Sequence, residues 1–186
     1  MAYRESFAMP RILILESYGP TRQALAMILE REGWEVTLSQ TDQEAFEALR
    51  QLQADGAINE DARRAAYLVE GELRARDEDF DAENDAYTRG LADWPDEPSL
   101  LYARALMWER RDDIPRAEAD LRTILVADPE NVAALNALGY TLADRTERYR
   151  EALELIERAV AHSGRQPSLY VHQIIGNPQD MACICT

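Results

Sequence analysis

The chain has 186 residues, 46% of them hydrophobic, which is enough for one or two domains with an apolar core. Its 35 acidic residues outnumber 20 basic ones, and the formal net charge of -15 excludes the basic footprint that nucleic-acid phosphates or anionic membranes demand. No run approaches the roughly 20 apolar residues needed to cross a bilayer, and no signal-like hydrophobic region opens the chain. As written it is expected in the cytoplasm.

Residues 1–9 are expected to be disordered. Arg11 to Leu15 reads as a short buried strand, and Pro20 to Arg31 carries Leu25, Ile28 and Leu29 at helical spacing. Gly33 closes that helix, and Trp34 to Leu38 alternates as a second strand. Thr41 to Gln53 is an amphipathic helix with Ala45, Phe46 and Leu49 inside, and Thr41 with Glu44 makes a capping box. The order strand, helix, strand, helix belongs to a parallel α/β unit, here residues 10–53. Units this small rarely fold unaided, so the expectation is that it packs on the first repeat, pairs with a second copy, or belongs to a truncated or composite product.

The stretch RILILESYGPTRQALAMILEREGWEVTLSQTDQEAFEAL resembles the first half of a response-regulator receiver domain. The resemblance implies a magnesium-holding acidic pair at the end of the first strand, where this chain has Glu16-Ser17, and a phosphorylated aspartate on a third strand. The following ADGAINEDARRAAY offers neither an apolar strand nor such an aspartate, so the resemblance is to a degenerate half-domain. Residues 54–60, with Gly56 and Asn59, read as a linker.

From residue 61 a different pattern begins. Gly71, Ala105 and Gly139 stand 34 residues apart, as do Pro95 and Pro129. Tyr67, Leu101 and Leu135 precede the small residue by four, and Phe80 and Ile114 follow it by nine. A 34-residue period with a small residue early and a proline late is the tetratricopeptide (TPR) helix-turn-helix signature. A small residue on the first helix lets the second approach, and Pro ends a helix because it lacks an amide donor and restricts the residue before it. Pro115 instead suits the first turn of a helix. The three units are expected at residues 61–97, 98–131 and 132–165. In the third, Tyr149, Ala152, Ile156 and Ala159 run one position late, which puts an extra residue around Arg145 to Arg148. The first is degenerate, with Glu83 where the others carry Ala117 and Ala152 and Arg74 in place of a bulky apolar residue; arrays commonly carry such a unit as a cap.

The run LLYARALMWERRDDIPRAEADLRTILVADPENVAALNALGYTLADRTERYREALELIERAV resembles the central repeats of bacterial TPR lipoproteins. That resemblance implies an outer-membrane-anchored adaptor, with a periplasmic carboxyl-terminal processing protease as one type of partner. This sequence shows no lipid-acceptor cysteine near its start and no amphipathic period in residues 166–186, which are expected to be disordered or to cap the array.

The first helices of the units line the concave face of such an array. The register projects Glu72 and Arg76 from unit one, Tyr102, Leu106, Glu109 and Arg110 from unit two, and Asn136, Tyr140 and Asp144 from unit three. Asn can pair with a peptide backbone through both donor and acceptor, and Tyr adds apolar area with a polar tip. The alternative is that Tyr102, Leu106 and Tyr140 pack between helices.

No phosphate loop, zinc-binding His pair or nucleophile elbow appears, and the carboxylate runs Asp77 to Asp81 and Asp93 to Glu97 read as solvated turns and helix starts. His162 and His172 offer no ligand geometry. Cys183 and Cys185 are too close for a structural disulfide and lack His support for a metal; the final CICT only faintly resembles a prenylation box. The expectation is therefore a mainly α protein, a TPR-type α-solenoid of three repeats preceded by a small β-α-β-α element. Its expected role is a non-catalytic adaptor for a protein or peptide, with no cofactor and no metal, and with self-association open to the amino-terminal element or the solenoid end. The alternative is a signalling protein in which the degenerate receiver regulates the repeats.

Overall fold

The computed structural model describes residues 11–15, 19–32 and 35–163. Their elements run β1 (Arg11–Leu15), α1 (Gly19–Arg31), β2 (Glu35–Ser39), α2 (Asp42–Ala54), α3 (Glu60–Arg76), α4 (Phe80–Asp93), α5 (Pro98–Arg110), α6 (Ile114–Ala127), α7 (Val132–Arg145) and α8 (Tyr149–Ser163). This is the expected order: a β-α-β-α element, then helix pairs of a TPR-type α-solenoid. Packing divides the described residues into two compact units, with the division between Leu73 and Arg74.

In the first unit β1 and β2 pair in parallel, Arg11 opposite Glu35 through Leu15 opposite Ser39. Parallel pairing needs a crossover, and α1 supplies it. Thr41 caps α2 by accepting the Glu44 amide at 3.2 Å, while the Glu44 carboxylate reaches back to the Gln40 amide at 2.7 Å. Ala45, Phe46 and Leu49 are buried as the spacing predicts. The apolar face of α1 is not: Ala26 is buried, whereas Leu25 and Ile28 are exposed. Two strands make a sheet too narrow to cover a helix's whole apolar stripe. Within this unit α2 is tied to α3 by a buried polar pair, Gln53 donating to Glu70 Oε2 at 2.7 Å, with Arg50 Nε donating to Oε1 at 3.1 Å.

In the second unit α4 packs on α5, α5 on α6, α6 on α7 and α7 on α8. The core is Leu100, Leu101, Ala105, Met107, Ala117, Leu121, Ile124, Leu135, Leu138, Leu142, Ala152, Ile156 and Ala159, all essentially inaccessible. Gly139 shows why the repeat needs a small residue there. A Cβ on it would stand 2.7 Å from Ile156 Cγ1 and 3.1 Å from the Ala152 carbonyl oxygen, closer than packed atoms tolerate.

The turns repeat as well. Asp79 and Asp113, 34 apart, each cap the following helix by accepting an amide from three residues on. The preceding Glu78 and Asp112 hold the left-handed backbone, with φ of 56° and 59°. Helices α4 and α6 both close on an amide bonded back four residues, Trp94 to Gly90 and Asp128 to Ile124, just ahead of Pro95 and Pro129. Pro98 and Pro115 occupy first turns, where the missing amide costs nothing. In the third repeat the loop between helices is still three residues long, and the extra residue sits in the last turn of α7, which has 14 residues against 13 in α5.

Candidate functional site

Helices α5 and α7 are successive first helices of their repeats, so residues 34 apart occupy equivalent places: Tyr102 with Asn136, and Leu106 with Tyr140. Side chains four apart on a helix share a face, which makes Tyr102–Leu106 and Asn136–Tyr140 two parallel stripes. Glu109, one turn beyond Leu106, accepts from Arg145 Nη2 at 2.9 Å, and this bridge ties the ends of α5 and α7 together on the same side.

The apolar groups in these stripes are solvent-accessible. Tyr140 is 43% exposed and Leu106 36%, and Tyr102 and Asn136 are half-buried. Asn136 Oδ1 is buried with no hydrogen-bond partner among the described residues. A buried acceptor left without a donor costs about 1–3 kcal/mol.

The charged members of the projected face on α5 and α7 are engaged within the fold. Arg145 bonds Glu109 and also Asp144, at 2.8 Å. Hydrogen bonding to Glu109 holds its guanidinium above the ordinary value. Arg110 Nη2 donates to Glu83 Oε1 at 2.5 Å. Glu83 is 1% exposed, and its Oε2 is buried without a partner among the described residues. The residue that breaks the small-residue pattern in the first repeat is thus a buried carboxylate neutralised from the second. Glu72 and Arg76 are exposed on α3.

Three features escaped the sequence. Arg104 makes a bidentate bond to Asp120, Nε to Oδ2 and Nη2 to Oδ1, both 2.8 Å, in a repeat whose successor carries Leu138 and Leu155 at the same two positions. Glu118, Arg122, Arg148 and Glu151 form a network joining α6 to α8, and its hydrogen bonds pull both carboxylates below their ordinary value. The third is a cleft of about 700 Å³ in the first unit, lined by β2, α2 and α3. Its signal was present in the apolar series Ala62, Ala65, Val69 and Leu73, but that stripe is indistinguishable from ordinary core without coordinates. A smaller cleft of about 350 Å³ lies beside Arg104, Trp108 and Arg116, with the Arg116 guanidinium 4.6 Å from the Trp108 ring centre.

Among the described residues no group of three or more His, Cys, Asp or Glu is placed to hold a metal ion, and no helix is long and apolar enough to cross a membrane. Glu16, Ser17, His172, Cys183 and Cys185 lie outside the described residues.

No family model matches the chain. Over 93 residues, half of this chain, it is 45% identical to a TPR repeat-containing protein of Pseudomonas aeruginosa. The match covers 16% of that protein, so the chain spans only a small part of its relative's length. Helix order, the small-residue crossing at Gly139 and this likeness agree: the repeats are of the tetratricopeptide type, the architecture of a protein-interaction module.

Proposed function

We propose that the chain is a non-catalytic adaptor that holds an extended peptide segment of a partner protein across α5 and α7. The observation that carries this reading is the exposed pair Tyr140 and Leu106 on the face of Asn136, whose Oδ1 has no hydrogen-bond partner among the described residues. An extended strand has a free backbone N–H at every second residue on one side, so one donor meets the Asn136 amide once that half-buried side chain turns outward, while alternate side chains rest on Tyr102, Leu106 and Tyr140. Glu109, Arg110 and Asp144 act in this reading by fixing the helices rather than by touching the ligand.

The resemblance to TPR lipoproteins supports a protease as one candidate partner, since that group includes an adaptor for such an enzyme. The test compares recovery of bound proteins by wild type and by the Asn136→Ala, Tyr140→Ala double variant. Recovery should be lost while helical content stays constant; unaltered recovery places the binding surface elsewhere.

A second reading is favoured by one observation, the parallel β1-α1-β2-α2 order of the first unit, which is the opening of a receiver fold. In it the degenerate receiver regulates the repeats. It requires a response to magnesium with beryllofluoride, and unchanged amide resonances around Glu16 would eliminate it.

A further inference from the structure

The neighbouring ends of α5 and α7 hold more negative charge than they neutralise. Arg145, in the last turn of α7, bonds Glu109 at 2.9 Å and Asp144 at 2.8 Å, and its Nη1 stands 3.6 Å from Asp112 in the turn after α5. Among the described residues these three carboxylates have no other cationic partner, so one guanidinium answers three negative charges. The cations next to them in sequence are already taken. Glu83 and Asp81 of α4 hold Arg110 and Arg111, and Glu118 and Glu151 hold Arg148. The last-turn carbonyls of α5 and α7 add negative partial charge at the same end.

Asp112 is the carboxylate left over. Glu109 and Asp144 make the short bonds that fix Arg145, whereas the Asp112 side chain is 77% exposed and has only the 3.6 Å approach. This acidic rim borders the exposed apolar pair: Glu109 is three residue steps beyond Leu106, about 4.5 Å of helix, and Asp144 four steps beyond Tyr140, about 6 Å. One ligand can therefore rest on Leu106 and Tyr140 and present a cation to the rim. A second copy of this chain, at net charge -15, would bring like charge there. A metal ion is no better suited, since no group of three or more His, Cys, Asp or Glu among the described residues is placed to hold one.

We infer, resting on the peptide-binding reading above, that the α5–α7 face selects a basic peptide, with a Lys or Arg near one end seated at Asp112 and apolar side chains on Leu106 and Tyr140. Charge complementarity of this kind fixes which way the peptide lies and which peptides are accepted.

The experiment selects random twelve-residue peptides, displayed on phage, against the full chain. Retained peptides are then labelled for fluorescence anisotropy at low salt in three forms: as selected, with the basic residue replaced by Gln, and with it moved to the opposite end. Selected peptides should carry Lys or Arg near one end and should lose binding to the Asn136→Ala, Tyr140→Ala double variant. The selected form should bind about fivefold more tightly than the other two, the scale of one exposed charge pair. Asp112→Asn should erase that advantage with circular dichroism unchanged, because Asn accepts the left-handed backbone that Asp112 holds. Equal binding by the three forms that still requires Asn136 and Tyr140 would leave the face a peptide site and overturn its basic selectivity. An advantage that survives Asp112→Asn, or a moved form as tight as the selected one, would also overturn the proposal, since general attraction to an acidic chain would suffice. If no selected peptide requires Asn136 and Tyr140, the peptide-binding reading fails and this proposal falls with it.

Discussion

The ion pair of Arg104 with Asp120 can be tested against the chain's own third repeat. The Asp120 side chain is 10% exposed and that of Arg104 21%, with both hydrogen bonds at 2.8 Å. Removing one partner leaves a charge in a largely dry site, which costs about 3–5 kcal/mol for a fully buried pair. Because Arg104 keeps some access to water, Asp120→Leu is expected nearer the lower end, about 3 kcal/mol, and Arg104→Leu about the same. Replacing both reproduces the Leu138–Leu155 pair of the next repeat, where both leucines are buried. The double variant should then be neutral or more stable by about 1 kcal/mol, so the singles and the double fail to add by about 6 kcal/mol or more. Urea denaturation of the four proteins, followed by circular dichroism at constant slope, measures this. Single costs under about 0.5 kcal/mol, as for exposed pairs, or a double variant as unstable as the sum, would refute the reasoning.

Other expectations rest on the same packing. Gly139→Val should lower stability by about 2 kcal/mol through overpacking against Ile156 and the Ala152 carbonyl; an unchanged thermal midpoint would remove the close-crossing argument. Arg110→Ala should cost about 3 kcal/mol by stranding the Glu83 carboxylate, and adding Glu83→Ala, which restores the repeat's usual small residue, should recover most of it. The Glu118 and Glu151 carboxyls are depressed below 4.5 chiefly by hydrogen bonds to Arg148 and Arg122. Their stabilisation is therefore complete above about pH 4.5 and lost as pH falls through the depressed values. Arg148→Ala should flatten the acid side of the stability–pH curve, and an identical curve would show that the network is without weight.

The repeat register was legible because its landmarks are local and steric. A glycine where α7 and α8 cross, an aspartate before α4 and α6 and a proline soon after each of those two helices are dictated by backbone geometry that the sequence displays directly. Tyr140 and Leu106 were legible as positions on a face, while their exposure depended on what α5 and α7 lay against. The ion pairs were not legible. Arg104 and Asp120 are 16 residues apart, Glu83 and Arg110 27 apart, and in a chain with 30% charged residues no spacing singles such pairs out. The apolar stripe of α1 misled for the opposite reason: helical spacing says which side chains share a face, but a two-stranded sheet cannot cover them all.

Binding at the α5–α7 face is tested most directly by a photo-crosslinking residue placed at Tyr140 and, in parallel, at Val126, which is 84% exposed on α6. Irradiation in the presence of captured partners should yield adducts from position 140 and none from position 126. Adducts from position 126 with none from 140, or equal yields from both, would contradict a peptide-binding surface built on Asn136 and Tyr140.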